Sequence, residues 1–117
     1  MYTYSIPDAY WHSKSNGCFP SHESVCVLNA GRKPAHLSMT LYFEDREKLE
    51  GFNSVVEPER TAHIRMDRQK NNAGQTVPMD TPYAIVIKSD VPLKVQYTRM
   101  DTSQSEMAIM TAMVKAE

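Results

Sequence analysis

Cysteine is scarce in this 117-residue chain: Cys18 and Cys26 are its only two. Their spacing fits neither a redox motif nor a zinc knuckle, and a cytosolic chain keeps such thiols reduced. Cys26 lies inside an apolar run and is expected to pack as a small core residue. An excess of one charge sign is also missing, with 13 basic against 14 acidic side chains and a net charge of −1. A dedicated nucleic-acid binder would be basic, and the densest basic points here are only Arg32-Lys33 and Arg68-Gln69-Lys70. Long apolar runs are absent. The longest, Tyr83-Ala84-Ile85-Val86-Ile87, is far short of the ~20 residues that cross a bilayer as a helix. The first residues, Met1 to Asp8, carry neither a basic n-region nor an apolar h-region, so no signal peptide is expected. There is no polybasic or lipidated tail to argue for direct lipid contact. No repeat, linker or low-complexity tract divides the chain, and its length suits one domain spanning residues 1–117.

What is present reads as short strands. Seven prolines interrupt the chain and exclude a long helix. Val25-Cys26-Val27-Leu28 is apolar on both faces and is expected to be the central strand of a covered sheet, closed by the turn residues Asn29-Ala30-Gly31. Leu37, Met39, Leu41 and Phe43 alternate with His36, Ser38, Thr40 and Tyr42, the period-two pattern of a half-buried strand. A solvated turn is expected at Glu44–Lys48, and a strand from Phe52 to Val56 before Pro58. In the next strand Ala62, Ile64 and Met66 face the core, while Thr61, His63 and Arg65 share the other face. The polar stretch from Asp67 to Asp80 is long for a loop in a small domain. Strands follow at Tyr83–Ile87 and from Leu93, where Leu93, Val95 and Tyr97 alternate with Lys94, Gln96 and Thr98. In the final segment Met107, Met110, Met113 and Val114 have helical spacing, and propensity alone predicts a helix there. The whole pattern predicts an all-β chain folded as a two-sheet β-sandwich.

Four stretches read together carry a family resemblance: Ser21-His22-Glu23-Ser24-Val25-Cys26-Val27-Leu28-Asn29-Ala30-Gly31; Arg60-Thr61-Ala62-His63-Ile64-Arg65; Thr81-Pro82-Tyr83-Ala84 leading to Ile87-Lys88-Ser89-Asp90-Val91-Pro92; and Gln96-Tyr97-Thr98-Arg99-Met100-Asp101. In order and spacing they resemble the sensory rhodopsin transducer family, from about Tyr4 to the C-terminus. The family opens with a Trp-x-Ile-Pro-Asp-Gly-Tyr strand; here Tyr4 stands for the Trp and Ala9 for the Gly. The resemblance implies a jelly-roll β-sandwich with little or no helix, a final strand instead of a helix, a homotetramer and a cytoplasmic location. It further implies a small-molecule binder, with a sugar or sugar acid as the ligand, or a signalling adaptor that docks on a membrane receptor.

His22 and Glu23 supply the mixed donors and acceptors that sugar hydroxyls need. Arg65, beside His63, could grip a carboxylate or phosphate with both prongs. Gln96, Arg99 and Asp101 end a strand where a sandwich builds a binding mouth, and Asn29 completes the candidate ligand-binding set. These polar groups, above all His22, Glu23, His63 and Arg65, are expected to converge on one patch. The four histidines, His12, His22, His36 and His63, lack zinc spacing; only a spatial His22–Glu23–His63 cluster would hold a metal, and no cofactor is expected. No nucleophile elbow, Cys-His signature or phosphate loop is present, so an enzyme acting on a sugar-like substrate ranks behind binding and adaptor roles.

Overall fold

The computed structural model describes residues 1–117. Eight strands account for nearly all regular structure: β1 (Tyr2–Ala9), β2 (His22–Asn29), β3 (Ala35–Phe43), β4 (Leu49–Val56), β5 (Arg60–Arg65), β6 (Tyr83–Ser89), β7 (Lys94–Asp101) and β8 (Ala108–Val114). The sole helical piece is the 3-10 turn Met66–Arg68. Two four-stranded antiparallel sheets, ordered β1-β6-β3-β4 and β5-β2-β7-β8, pack face to face. Only β3–β4 and β7–β8 connect within a sheet; every other connection crosses to the opposite one. No helix is long and apolar enough to cross a membrane.

The core follows from the alternation. Val25 and Val27 of β2, Leu37, Met39 and Leu41 of β3, Ile85 and Ile87 of β6, and Val95 and Tyr97 of β7 all turn inward and are buried. They belong to one hydrophobic cluster of 20 residues. β2 is central, between β5 and β7, but it is covered on one face only. Leu28 is 43% exposed and Cys26 is half-buried on the outer face, so the expected core cysteine is instead a surface group. The four apolar residues Val25 to Leu28 concealed an ordinary half-buried strand, because Cys and Leu stand where polar residues usually do.

The strand expected from Phe52 begins earlier, at Leu49. Its register on β3 slips between Met39 and Leu41, a bulge centred on Gly51, whose φ is +86°. A side chain there would meet Asn72 Nδ2 at 3.2 Å. Glycine therefore serves the bulge and the close approach of the long loop. The C-terminal segment is a strand, against its helical spacing, since seven successive residue pairs from Val95↔Val114 to Asp101↔Ala108 ladder it onto β7. Beyond β8 the chain reaches the other sheet: Tyr4 bridges to Ala116, and Glu117 N donates to Thr3 O at 2.8 Å.

The stretch from Asp67 to Asp80 is organised by Asn71. Its Oδ1 accepts from Ala73 N (3.1 Å) and Gln75 N (2.8 Å), while its Nδ2 donates to Glu50 O and Gln75 Oε1, both at 2.9 Å. Val77, in the same stretch, is buried in the core. Asn71→Ala removes all four bonds and leaves partly buried backbone groups without their partners, which is expected to cost ~1–3 kcal/mol. Urea unfolding should show the lower midpoint, and hydrogen exchange should quicken at Ala73 and Gln75; a variant as stable as the parent would disprove this role.

Candidate functional site

The outer face of the β5-β2-β7-β8 sheet collects side chains from four strands in register. Residues directly opposite in a ladder project to the same side. The pairs Cys26↔His63, Cys26↔Gln96 and Gln96↔Met113 thus form one row across the sheet, His63–Cys26–Gln96–Met113. The next row is Arg65–Ser24–Thr98–Thr111, and on the other side lies Thr61–Leu28–Lys94. His22 shares this face two residues before Ser24. Between the rows lies a shallow cavity of about 230 Å³, lined by Cys26, Leu28, Thr61, His63, Lys94 and Gln96 among others. Gln96 Nε2 donates to Thr111 Oγ1 at 2.7 Å, and Thr111 Oγ1 lies 2.9 Å from Thr98 Oγ1. These bonds hold the Gln96 amide so that its oxygen remains an unused acceptor.

Of the sequence-derived candidates, His22, His63, Arg65 and Gln96 therefore share this face, but only His63 and Gln96 line the depression; His22 lies four residues along β2 from Cys26, with its Nδ1 2.9 Å from Pro20 O. Arg65 is not free to hold a ligand, however. Its Nε and Nη2 donate to the two carboxylate oxygens of Asp67, each at 2.8 Å. Burial pushes the Asp67 carboxyl upward, but the Arg65 hydrogen bonds and charge outweigh it and, with His22 nearby, hold it below the usual carboxylate range. The fork that would grip a ligand carboxylate is filled from within the chain, two residues on. Lys94 is the cation left at the cavity.

Glu23, Asn29, Arg99 and Asp101 do not join this patch. The alternation that turns His22 outward turns Glu23 inward, where it is 1% exposed. One Glu23 oxygen accepts from Tyr83 Oη at 2.5 Å; the other accepts from Tyr10 N at 2.8 Å and from Tyr97 Oη. Glu23 thus cannot form a metal cluster with His22 and His63, which lie on the opposite side of the sheet. Arg99 also turns inward. Its Nε donates to Tyr97 Oη at 3.3 Å, and its Nη2 reaches Asp8 O (3.1 Å) and Asp8 Oδ1 (3.2 Å). Asp101 accepts from Ser103 N (2.8 Å) and Ser103 Oγ (2.5 Å), which together lower its carboxyl pKa; His12 Nε2 stands 3.4 Å away. Asn29 is buried and donates to Lys33 O (2.8 Å) and Val56 O (3.1 Å). These four hold the scaffold together. Tyr83 and Tyr97, missed as polar partners in the sequence, gave a signal only as aromatics on inward strand positions.

Comparison with known proteins matches this geometry to a family. The profile described as Anabaena sensory rhodopsin transducer fits residues 1–115. The chain belongs to the sensory rhodopsin transducer family. Among solved structures, the Anabaena sensory rhodopsin transducer is 38% identical with a TM-score of 0.75, the match covering 89% of this chain and 91% of that one. The structure titled Thermotoga maritima 1070 superposes with a TM-score of 0.86 at 28% identity, covering 97% and 92%. No curated protein matches the chain.

Tyr4 is the residue that the sequence resemblance sets against a Trp. Tyr4 is 1% exposed. Its hydroxyl donates to Leu93 O at 3.0 Å and accepts from Leu93 N at 2.8 Å. An indole N–H could donate but not accept. The exchange therefore acts on the turn before β7 and not on the outer face of the sheet.

Burial, followed by the Glu23 charge and hydrogen bond, raises the pKa of both Tyr83 and Tyr97 above the usual 10.0. The folded state then holds these protons more tightly than the unfolded chain does. Their contribution to stability is complete below about pH 10 and is lost as pH rises toward the folded-state values, each group adding a slope of about 1.4 kcal/mol per pH unit. Two of the six tyrosines should therefore give no tyrosinate absorbance until the protein unfolds. Tyr83→Phe and Tyr97→Phe should each flatten the alkaline fall in stability; an unchanged profile in both would refute the assignment.

Proposed function

We propose that this family member is a cytoplasmic binding module for a small polyhydroxylated ligand, a sugar or sugar acid, held on the outer face of the β5-β2-β7-β8 sheet. The observation that carries this reading is the row His63–Cys26–Gln96 over a 230 Å³ depression. An imidazole, an amide and the Thr61 hydroxyl, which donates to Val27 O at 3.1 Å and is left to accept, stand at neighbouring ladder positions, and together they donate and accept as a set of vicinal hydroxyls requires. Leu28 and the Met113 thioether give the apolar side of a sugar ring a surface to lie on. Lys94 would favour a ligand carrying one negative charge, a role the sequence assigned to Arg65. A thermal-shift series with sugars, sugar acids and polyols tests this reading. A ligand at 100-fold its dissociation constant should stabilise the fold by ~2.7 kcal/mol. His63→Ala and Gln96→Ala should each weaken a ligand that binds there at least fivefold, with the circular dichroism spectrum unchanged. Binding that survives both substitutions would place the ligand elsewhere.

A second reading, a signalling adaptor working as a homotetramer, is favoured by β8 and by the name of the Anabaena relative, a transducer. Ile109 is 60% and Met113 67% exposed on one face of β8, while Met110 is 41% exposed on the other. An edge strand apolar on both sides is covered economically by another copy of the chain in a closed assembly. Light scattering should then give four times the 13.3 kDa chain mass, and Ile109→Lys with Met113→Lys should lower it. A mass of one chain at micromolar concentration would end the oligomer proposal.

A further inference from the structure

We propose that the end of the sandwich remote from Glu23 holds a second binding site, for a small molecule that joins an oxyanion to an apolar body. The site lies between the β2–β3 connection and the turn entering β7. Its cavity, of about 500 Å³, is lined by Leu28, Val91, Pro92 and Leu93 together with the cations Arg32, Lys33 and Lys94. Glu23 and Asn29 sit at opposite ends of β2, about 20 Å apart by strand rise, so this cavity is separate from the tyrosine cluster. It meets the outer-face depression only at Leu28 and Lys94.

Three observations point to an anion. First, the cations here are uncommitted. Of the 13 lysines and arginines, Arg46, Lys48, Arg65 and Arg99 are in ion pairs; Arg32, Lys33 and Lys94 are among the nine without a carboxylate, and these three gather at one cavity. In a chain of net charge −1, three unpaired cations around one cavity form a local positive field. Second, the neighbouring acid is withdrawn. Asp90, next to Val91, accepts from His36 N at 2.8 Å and contacts His36 Nδ1 at 2.9 Å. Third, both walls are fixed before any ligand arrives. Asn29 Nδ2 holds Lys33 O and Val56 O, and Asn29 Oδ1 accepts from Gly31 N at 3.1 Å. On the facing wall the Tyr4 hydroxyl bonds both Leu93 N and Leu93 O, and Ser89 Oγ donates to Val91 O at 2.7 Å. Rigid walls lower the ordering cost of binding. The apolar wall from Leu28 and Val91 to Leu93 adds what a bare inorganic ion could not use.

The test is a nuclear magnetic resonance titration of the full chain with three probes: phenyl phosphate, inorganic phosphate and phenol. Phenyl phosphate should give saturable amide shifts at Gly31, Val91, Leu93 and Lys94, at least fivefold tighter than inorganic phosphate, and phenol should give none. Arg32→Ala combined with Lys33→Ala should keep the dispersed folded spectrum and weaken phenyl phosphate at least tenfold, as read at Val91 and Leu93. Equal affinity for phenyl phosphate and inorganic phosphate would overturn the amphipathic class. Shifts by phenol alone, shifts confined to the outer face at His63 and Gln96, or a double variant that binds as tightly as the parent would overturn the site.

Discussion

The carboxylate of Glu23 sits between the two sheets, and it can remain there only because donors from three separate parts of the chain converge on it. Tyr83 comes from the opposite sheet, Tyr97 from the neighbouring strand, and Tyr10 N from the segment after β1. An unpaired carboxylate inside an apolar core costs several kcal/mol, so the sandwich must close with these three groups in place. That requirement sets the register of β2. A slip by one residue would send Glu23, Val25, Val27 and Asn29 outward and bring His22, Ser24, Cys26 and Leu28 into the core. The polar outer row is thus a consequence of the buried carboxylate on the other side of the same strand.

The opposite end of the sandwich has its own polar tie. Tyr4, on the first sheet, holds Leu93 at the entrance to β7 on the second. Asn29 holds the β2–β3 connection to the end of β4. Polar side chains buried at both ends, with an apolar middle, fix the sheets in one relative position and leave the connections between them as stiff rims. Such rims suit recognition, since a ligand meets groups that are already in place.

The two proposed sites differ in kind. The outer-face site is a row of neutral donors and acceptors, suited to hydroxyls. The end cavity has an apolar wall and unpaired cations, suited to an oxyanion with an apolar body. Lys94 and Leu28 border both.

Much of this was legible in the residues alone. Period-two alternation at His36–Phe43 and Thr61–Met66 made the chain all-β, and the same alternation placed His63 with Arg65 and Lys94 with Gln96, because side-chain direction in a strand depends only on parity. Motif order and spacing were enough to reach the family. Parity cannot say which face of a strand is the inside when both carry apolar and polar residues. His22 and Glu23, adjacent and both polar, therefore looked like partners, and only the tyrosines from distant strands decided that one is buried and the other exposed. Likewise no local signal shows that Asp67 will occupy Arg65, or that the helix-forming residues of Ala108–Val114 will be a strand: each depends on a partner, a carboxylate turned back by a 3-10 turn in one case and the open edge of β7 in the other. Local sequence settled direction and element type wherever one pattern was unopposed. Tertiary structure decided the rest, because burial and hydrogen bonding are properties of pairs that only the folded chain brings together.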